Sequence, residues 1–154
     1  NPKSPEVQTT YRPICLIDTL GKVLESVVNK RLVEEIEEKK MISDNQYGFR
    51  KGRSTVGALQ AVEKAVKEVR KPAWQHRKMC AMVTVDVENA FNTARWPGIV
   101  AALERGGVSP YLLNMVISYL SNRRIIAPNG AIMEITGGVP QGSILGPTLW
   151  NIYY

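Results

Sequence analysis

The stretch Cys80-Ala81-Met82-Val83-Thr84-Val85-Asp86-Val87 decides how this chain is read, because it is apolar, rich in β-branched residues and carries a single charge, Asp86. Such a composition predicts a strand buried on both faces. A carboxylate near the end of a buried strand is costly unless something compensates it, so Asp86 calls for a partner. A divalent cation is one answer: two-metal phosphoryl transfer needs carboxylates converging on ions roughly 3.5 to 4 Å apart, and strand ends present ligands rigidly. The bland answer is structural, with Asp86 capping the helix that follows or pairing with Arg95 or another base.

Upstream of this strand, Tyr11–Ile17 reads as a short extended segment, since Pro13 breaks helix and biases Arg12 away from it. Leu20, Val23, Leu24, Val27, Leu32 and Ile36 recur at mostly helical spacing, and the charged run Glu34–Lys40 ends that helix with a solvated face. Ser43–Arg53 is a polar, glycine-containing loop, and Ser54 is placed to cap a second amphipathic helix whose stripe is Val56, Leu59, Val62, Val66 and Val69. Pro72 stops it, and Arg70–Lys78, with the single histidine His76, reads as an exposed connection.

Downstream, one helix opens with Pro97 and ends at Gly106-Gly107, and the next opens with Ser109-Pro110 and ends near Asn122. Arg123–Thr136 reads as a hairpin turning at Asn129-Gly130. A glycine-rich turn, Gly137–Gly142, precedes a further helix from Ile144. Helices interspersed with strands give a mixed α and β fold with little to fix strand order.

At 154 residues and 44% hydrophobic content the chain can bury one core. Its 20 Lys and Arg against 14 Asp and Glu leave a net charge of +6, which favours a polyanionic partner without naming one. Cys15 and Cys80 are far apart with no CxxC spacing, so neither a disulfide framework nor a zinc site is indicated, and a reducing intracellular compartment fits. No run approaches the roughly 18 apolar residues that span a bilayer, so no membrane partner is expected. The polar start at Asn1 and the stop at Tyr154 inside an apolar pattern both read as cut ends.

Two further segments have compositions suited to chemistry. Gly137-Gly138-Val139-Pro140-Gln141-Gly142-Ser143 offers glycines for close backbone approach and an amide able to bond a sugar or base, or else a plain loop with Ser143 capping the next helix. It is neither a Walker loop nor a GxSxG elbow. Gln46-Tyr47-Gly48-Phe49-Arg50-Lys51-Gly52-Arg53-Ser54 interleaves aromatics, glycines and bases, as phosphate contact and base stacking require, although an ordinary basic loop looks the same. A hydrolase built on Ser143 and His76 is the rival from a different class.

Taken in order, Tyr11-Arg12-Pro13-Ile14, Gln46–Ser54, Val85-Asp86-Val87-Glu88-Asn89-Ala90-Phe91-Asn92 and Gly138–Pro147 resemble the successive polymerase motifs of reverse transcriptases, above all those of non-LTR (LINE-like) retrotransposons. The resemblance spans nearly the whole chain. It implies an α+β fold, the fingers and incomplete palm of a right-hand polymerase, with fingers over about residues 11–70 and palm over about 80–154. It implies an RNA-directed DNA polymerase that takes an RNA template, a DNA primer and deoxynucleoside triphosphates, acts in the nucleus and uses two Mg²⁺ ions in the complete domain.

Residue by residue, the resemblance makes Asp86 the catalytic carboxylate and first metal ligand, with the Val87 carbonyl beside it. Phe91 falls where the family has a steric gate against a ribose 2′-hydroxyl, core packing being the alternative. Gln141 and Gly142 would meet the incoming nucleotide. Arg12 and Lys22 would neutralise its triphosphate, and Gln46, Arg50, Lys51 and Arg53 would lie along the template. Asn92 stands where an aspartate is common. The family's Tyr/Phe-Ala-Asp-Asp turn, which supplies the remaining carboxylates, does not occur here, so the palm sheet is expected to expose an edge and the isolated chain to be inactive. The alternative is a non-catalytic RNA-binding remnant of a decayed element.

Overall fold

A computed structural model describes residues 14–71, 79–126 and 129–154. Arg12, His76 and the start of the segment expected to be extended from Tyr11 lie outside them. The first helix, α1 (Thr19–Glu38), begins where the Asp18 carboxylate accepts the Gly21 N–H at 2.7 Å, satisfying one of the helix's orphan donors. Its buried residues are Glu25, Val28, Leu32 and Ile36. Of the expected stripe only Leu32 and Ile36 are therefore buried, since Leu20, Val23, Leu24 and Val27 are exposed. The buried face is the one against which later helices pack, and Glu25 lies on it despite its charge.

The second helix, α2 (Thr55–Arg70), is capped as expected, with the Ser54 hydroxyl accepting the Gly57 N–H at 3.1 Å. None of its residues is buried, and the stripe Val56, Leu59, Val62 and Val66 faces solvent.

The largest correction concerns Cys80–Val87. The segment forms no ladder and is exposed from Met79 to Asp86, with Val83 at 85% and Val85 at 84% exposure. Composition reports that a segment is suited to burial, whereas burial itself needs neighbouring strands, and among the described residues none pairs with it.

A short helix, α3 (Ala90–Thr93), leads into α4 (Trp96–Arg105) and α5 (Pro110–Leu120). The turn between α4 and α5 stops the first of them by a Schellman arrangement. Gly107, at φ +68°, sends its N–H to Glu104 O at 2.9 Å while the Val108 N–H reaches Leu103 O at 3.1 Å. The expected hairpin is present as β1 (Arg124–Ile126) antiparallel to β2 (Ile132–Glu134), with Arg124 opposite Glu134 and both strands exposed. The Asn129 side chain accepts the Ala131 N–H at 3.1 Å in its turn. The last helix, α6 (Leu145–Tyr153), completes the set.

The core lies among α1, α4, α5 and α6, where Leu32, Ile99, Leu103, Val116 and Leu149 are wholly inaccessible. Each such side chain contributes about 1.5–3 kcal/mol by leaving water. A polar clamp adds to this packing. Glu35 Oε2 accepts the Ser109 N–H at 2.8 Å and the Lys39 ammonium at 3.1 Å, while Lys39 also donates to Gly107 O. The bond from Ser109, helped by Lys39 against partial burial, pulls the Glu35 carboxyl down to about 2. Ser109 thus opens α5 through its N–H, received by Glu35, with no capping bond from its own hydroxyl.

Candidate nucleotide-binding site

The glycine-rich turn is stitched on two sides to segments distant in sequence. On one side the Val139 N–H donates to Phe91 O and the Gly138 N–H to Ala94 O, both at 2.7 Å, and the Trp96 indole donates to Gly138 O at 2.7 Å. On the other, the Cys15 N–H donates to Gln141 O at 2.8 Å. Glycine is required at two points. Gly138 has φ +82° and a Cβ there would stand 3.1 Å from Asn92 O; Gly142 has φ +103° and a Cβ would stand 2.7 Å from Cys15 O. The turn thus brings together the Cys15, Phe91 and Gln141 regions of the chain.

Behind the turn, α6 starts with two N–H groups satisfied by side chains. Ser143 Oγ accepts the Gly146 N–H at 2.7 Å and Glu25 Oε2 accepts the Ile144 N–H at 2.6 Å. Ser143 is 7% exposed and serves as a cap, in agreement with the loop-and-cap reading rather than with a nucleophile. The Tyr119 ring packs nearby, its burial raising the phenol's pKa, with the Arg123 guanidinium 4.8 Å from the ring centroid.

Phe91 is half-buried in an aromatic cluster, 6.0 Å from Phe49 edge-to-face and 5.9 Å from Trp150. Gln141 instead lines a cavity of about 170 Å³ together with Cys15, Asn92, Trp96 and Arg123. The Gln46 amide donates to Asn151 Oδ1 at 3.0 Å, and Asn151 Nδ2 donates to Gly48 O at 2.9 Å.

The four residues expected along the template divide into two pairs. Arg50, with its side chain only 10% exposed, is bound to Glu37 through two bonds of 2.7 Å and donates to Ser43 O at 2.7 Å, and Gln46 is engaged with Asn151. Lys51 is exposed, and Arg53 lies 3.4 Å from Asp44 with its guanidinium 5.5 Å from the Tyr47 ring centroid. Lys22 is exposed on the first turn of α1.

Asp86 is exposed on the unpaired segment, and among the described residues it has neither a cap role nor an ion pair with Arg95. Nor do three His, Cys, Asp or Glu side chains converge anywhere among them. One carboxylate and the Val87 carbonyl do not amount to a two-ion centre, so the described residues alone do not fit a pair of Mg²⁺ ions.

Across residues 1–154 the chain matches the family model described as reverse transcriptase (RNA-dependent DNA polymerase). The chain belongs to that family. Among its relatives are the probable RNA-directed DNA polymerase from transposon BS of Drosophila melanogaster, 31% identical over 98% of this chain and 17% of that protein. The RNA-directed DNA polymerase from mobile element jockey of the same fly is 32% identical over 98% of this chain and 16% of its own length. The Retrovirus-related Pol polyprotein from type-1 retrotransposable element R1 of Bradysia coprophila is 32% identical over 93% of this chain and 14% of its own. The relatives are polymerases of non-LTR retrotransposons, and the chain spans about a sixth of the length of such proteins. No solved structure matches it.

The family generally uses divalent metals and implies nucleic acid template and nucleotide substrates, and in this chain no described helix is long and apolar enough to cross a membrane. Sequence reasoning missed Glu37, Asn151 and Trp150 as partners of the residues it singled out. Asn151 left one trace, a lone amide in the apolar run Leu149-Trp150-Asn151-Ile152. Glu37 looked like any charge on a solvated face.

Proposed function

We propose that this chain carries the fingers, over about residues 11–70, and part of the palm, over about 80–154, of an RNA-directed DNA polymerase. The observation that carries the reading is the 2.7 Å bond from the Val139 N–H to Phe91 O, which joins the Asp86–Phe91 segment to the Gly138–Gly142 turn. In the reaction a primer 3′-oxygen forms a bond to the α-phosphorus of a deoxynucleotide and pyrophosphate leaves. Asp86, with the Val87 carbonyl, is the site we assign to Mg²⁺, and it needs further carboxylates from outside the described residues. Phe91 crowds a ribose 2′-hydroxyl, Gln141 and Gly142 meet the nucleotide, and Arg12 and Lys22 balance the triphosphate charge.

Along the template we assign direct contact to Lys51 and Arg53. Arg50 and Gln46, whose donors are engaged within the protein, shape the loop that presents them. The retrotransposon relationship supports assigning it action on chromosomal DNA, hence in the nucleus. Primer extension on an RNA template by a polymerase carrying this chain tests the reading: Asp86→Ala abolishes incorporation. Incorporation that survives this substitution would overturn the assignment. The 154 residues alone incorporate nothing, and RNA-templated synthesis by them that is lost in Asp86→Ala would overturn that statement.

The exposed position of Asp86, in no cluster of three metal-ligating side chains among the described residues, favours one other reading, a non-catalytic RNA-binding remnant. Salt-dependent RNA binding by the parent protein with no metal-dependent nucleotide binding would support it.

A further inference from the structure

Asn151 lies on the buried side of α6, 9% exposed, alongside buried Leu145, Thr148 and Leu149. Both ends of its amide are used, and both uses reach the same loop: Oδ1 accepts from Gln46 Nε2 at 3.0 Å and Nδ2 donates to Gly48 O at 2.9 Å. The Gln46 amide also approaches Gly48 O at 3.4 Å. A buried amide satisfied in this way specifies one arrangement of the two segments, since any shift leaves a polar group unpaired.

The residue immediately after the gripped carbonyl is Phe49, at φ +52°. This is left-handed backbone, which a bulky residue other than glycine adopts at a cost and keeps only where its surroundings hold it. Its ring meets Phe91 edge-to-face at 6.0 Å, and Phe91 in turn meets Trp150, the neighbour of Asn151, at 5.9 Å. Phe91 is therefore held between two aromatic rings whose backbones are tied to each other through Asn151.

We infer that Asn151 and Gln46 form a lock that sets how strictly the polymerase rejects ribonucleotides, by fixing Phe49 and Trp150 on either side of Phe91. The inference rests on the assignment of Phe91 as the barrier to the 2′-hydroxyl. Asn151 touches no substrate in this account and is a positioning residue. Loosening the lock lets the Phe91 ring retreat and widens the space for the extra hydroxyl.

The test is the ratio of kcat/KM for a ribonucleotide to that for the matching deoxynucleotide, in a polymerase carrying this chain. A general loss of folded protein lowers both terms together and leaves the ratio unmoved. Asn151→Ala and Gln46→Ala are each expected to raise it roughly fivefold, with the double variant less than the product of the two, as for residues in one network. Asn151→Asp, which keeps the acceptor for Gln46 but loses the donor to Gly48, is expected to behave like Asn151→Ala. Phe91→Val raises the ratio further than any of them.

If Phe91→Val raises the ratio while Asn151→Ala and Gln46→Ala leave it unchanged, the lock is wrong and the gate stands. Should Phe91→Val itself leave the ratio unchanged, the gate assignment falls and the inference with it. Where Asn151→Ala fails to fold, Gln46→Ala on the accessible side of the pair decides the matter.

Discussion

Arg50 grips Glu37 with two bonds of equal length, Nε to Oε1 and Nη2 to Oε2, each 2.7 Å. This fork ties the Ser43–Arg53 loop to α1, and a third bond from Nη1 to Ser43 O closes the loop on itself. The pair holds the Glu37 carboxyl below its ordinary range and raises the Arg50 guanidinium above its own. A lysine cannot reproduce two parallel bonds from one plane. Arg50→Lys is expected to destabilise the protein by about 1–2 kcal/mol, the charge-assisted range discounted for a half-solvated carboxylate. Urea denaturation measures it, and faster amide exchange confined to the loop would identify its source.

The clamp at Glu35 predicts a pH dependence with a definite sign. Its carboxyl titrates near 4.5 when unfolded and at about 2 when folded, so between these values the unfolded chain holds more protons. Its contribution is complete above about 4.5 and is lost as pH falls through about 2. Denaturation midpoints measured from pH 6 to about 2 should fall across that window, and Glu35→Gln should flatten the fall. A variant as acid-sensitive as the parent would remove Glu35 from this role.

At the glycine-rich turn, Gly142→Ala meets two obstacles, a φ of +103° and a Cβ position 2.7 Å from Cys15 O. The Cys15–Gln141 bond must open to accommodate it. We expect a loss of about 1–3 kcal/mol, the cost of a side chain in left-handed backbone with a steric clash added, together with a raised KM for nucleotide. Thermal melting and primer extension report the two effects.

Exposed Lys51 is expected to contribute to RNA affinity through phosphate alone. Lys51→Ala should weaken binding equally across template sequences and lower the slope of log K against log salt by about 1. A sequence-dependent change would point to a base contact.

The apolar groups left in water make a prediction about the isolated chain. Met82, Val83 and Val85 are exposed on an unpaired segment, and the stripe Val56, Leu59, Val62 and Val66 is exposed on α2. Unpaired, strand-prone segments of this kind associate edge to edge. The 154 residues are expected to self-associate with rising concentration in light scattering, and Val83→Lys with Val85→Lys should suppress it. A monodisperse chain at high concentration would contradict this.

How much of this was legible in the sequence depends on the range of the signal. Ser54 as a cap, the stop at Gly106-Gly107 and the Asn129-Gly130 turn are set by neighbours within a few residues, and each is found as expected. The helix α1 follows from spacing, and α4 and α5 from their start and stop signals. Which face of α1 is buried did not follow, because that depends on where α5 and α6 pack, and the burial of Glu25 ran against its charge. The Cys80–Val87 strand failed for the same reason, since β-branched residues mark suitability for a sheet without supplying the neighbours. Of the candidate site, the motif order pointed to Asp86, Phe91 and Gln141. It had no means of disclosing that Gln46 is bonded to Asn151, 105 positions away, or that Arg50 is spoken for by Glu37.

The carboxylate of Glu25 has a bearing on how a polyphosphate is received. The N-terminal end of a helix ordinarily offers free N–H groups and a partial positive charge, a ready seat for phosphate. Here α6 begins with Glu25 bonded to the Ile144 N–H at 2.6 Å, so that seat is filled by a fixed anion of the protein's own. On the proposed reading, a nucleotide docked at the neighbouring turn would have its triphosphate turned away from the helix end, to find its counter-charges elsewhere. The turn around Gln141 and Gly142 would then discriminate by shape and hydrogen-bond pattern, largely blind to charge.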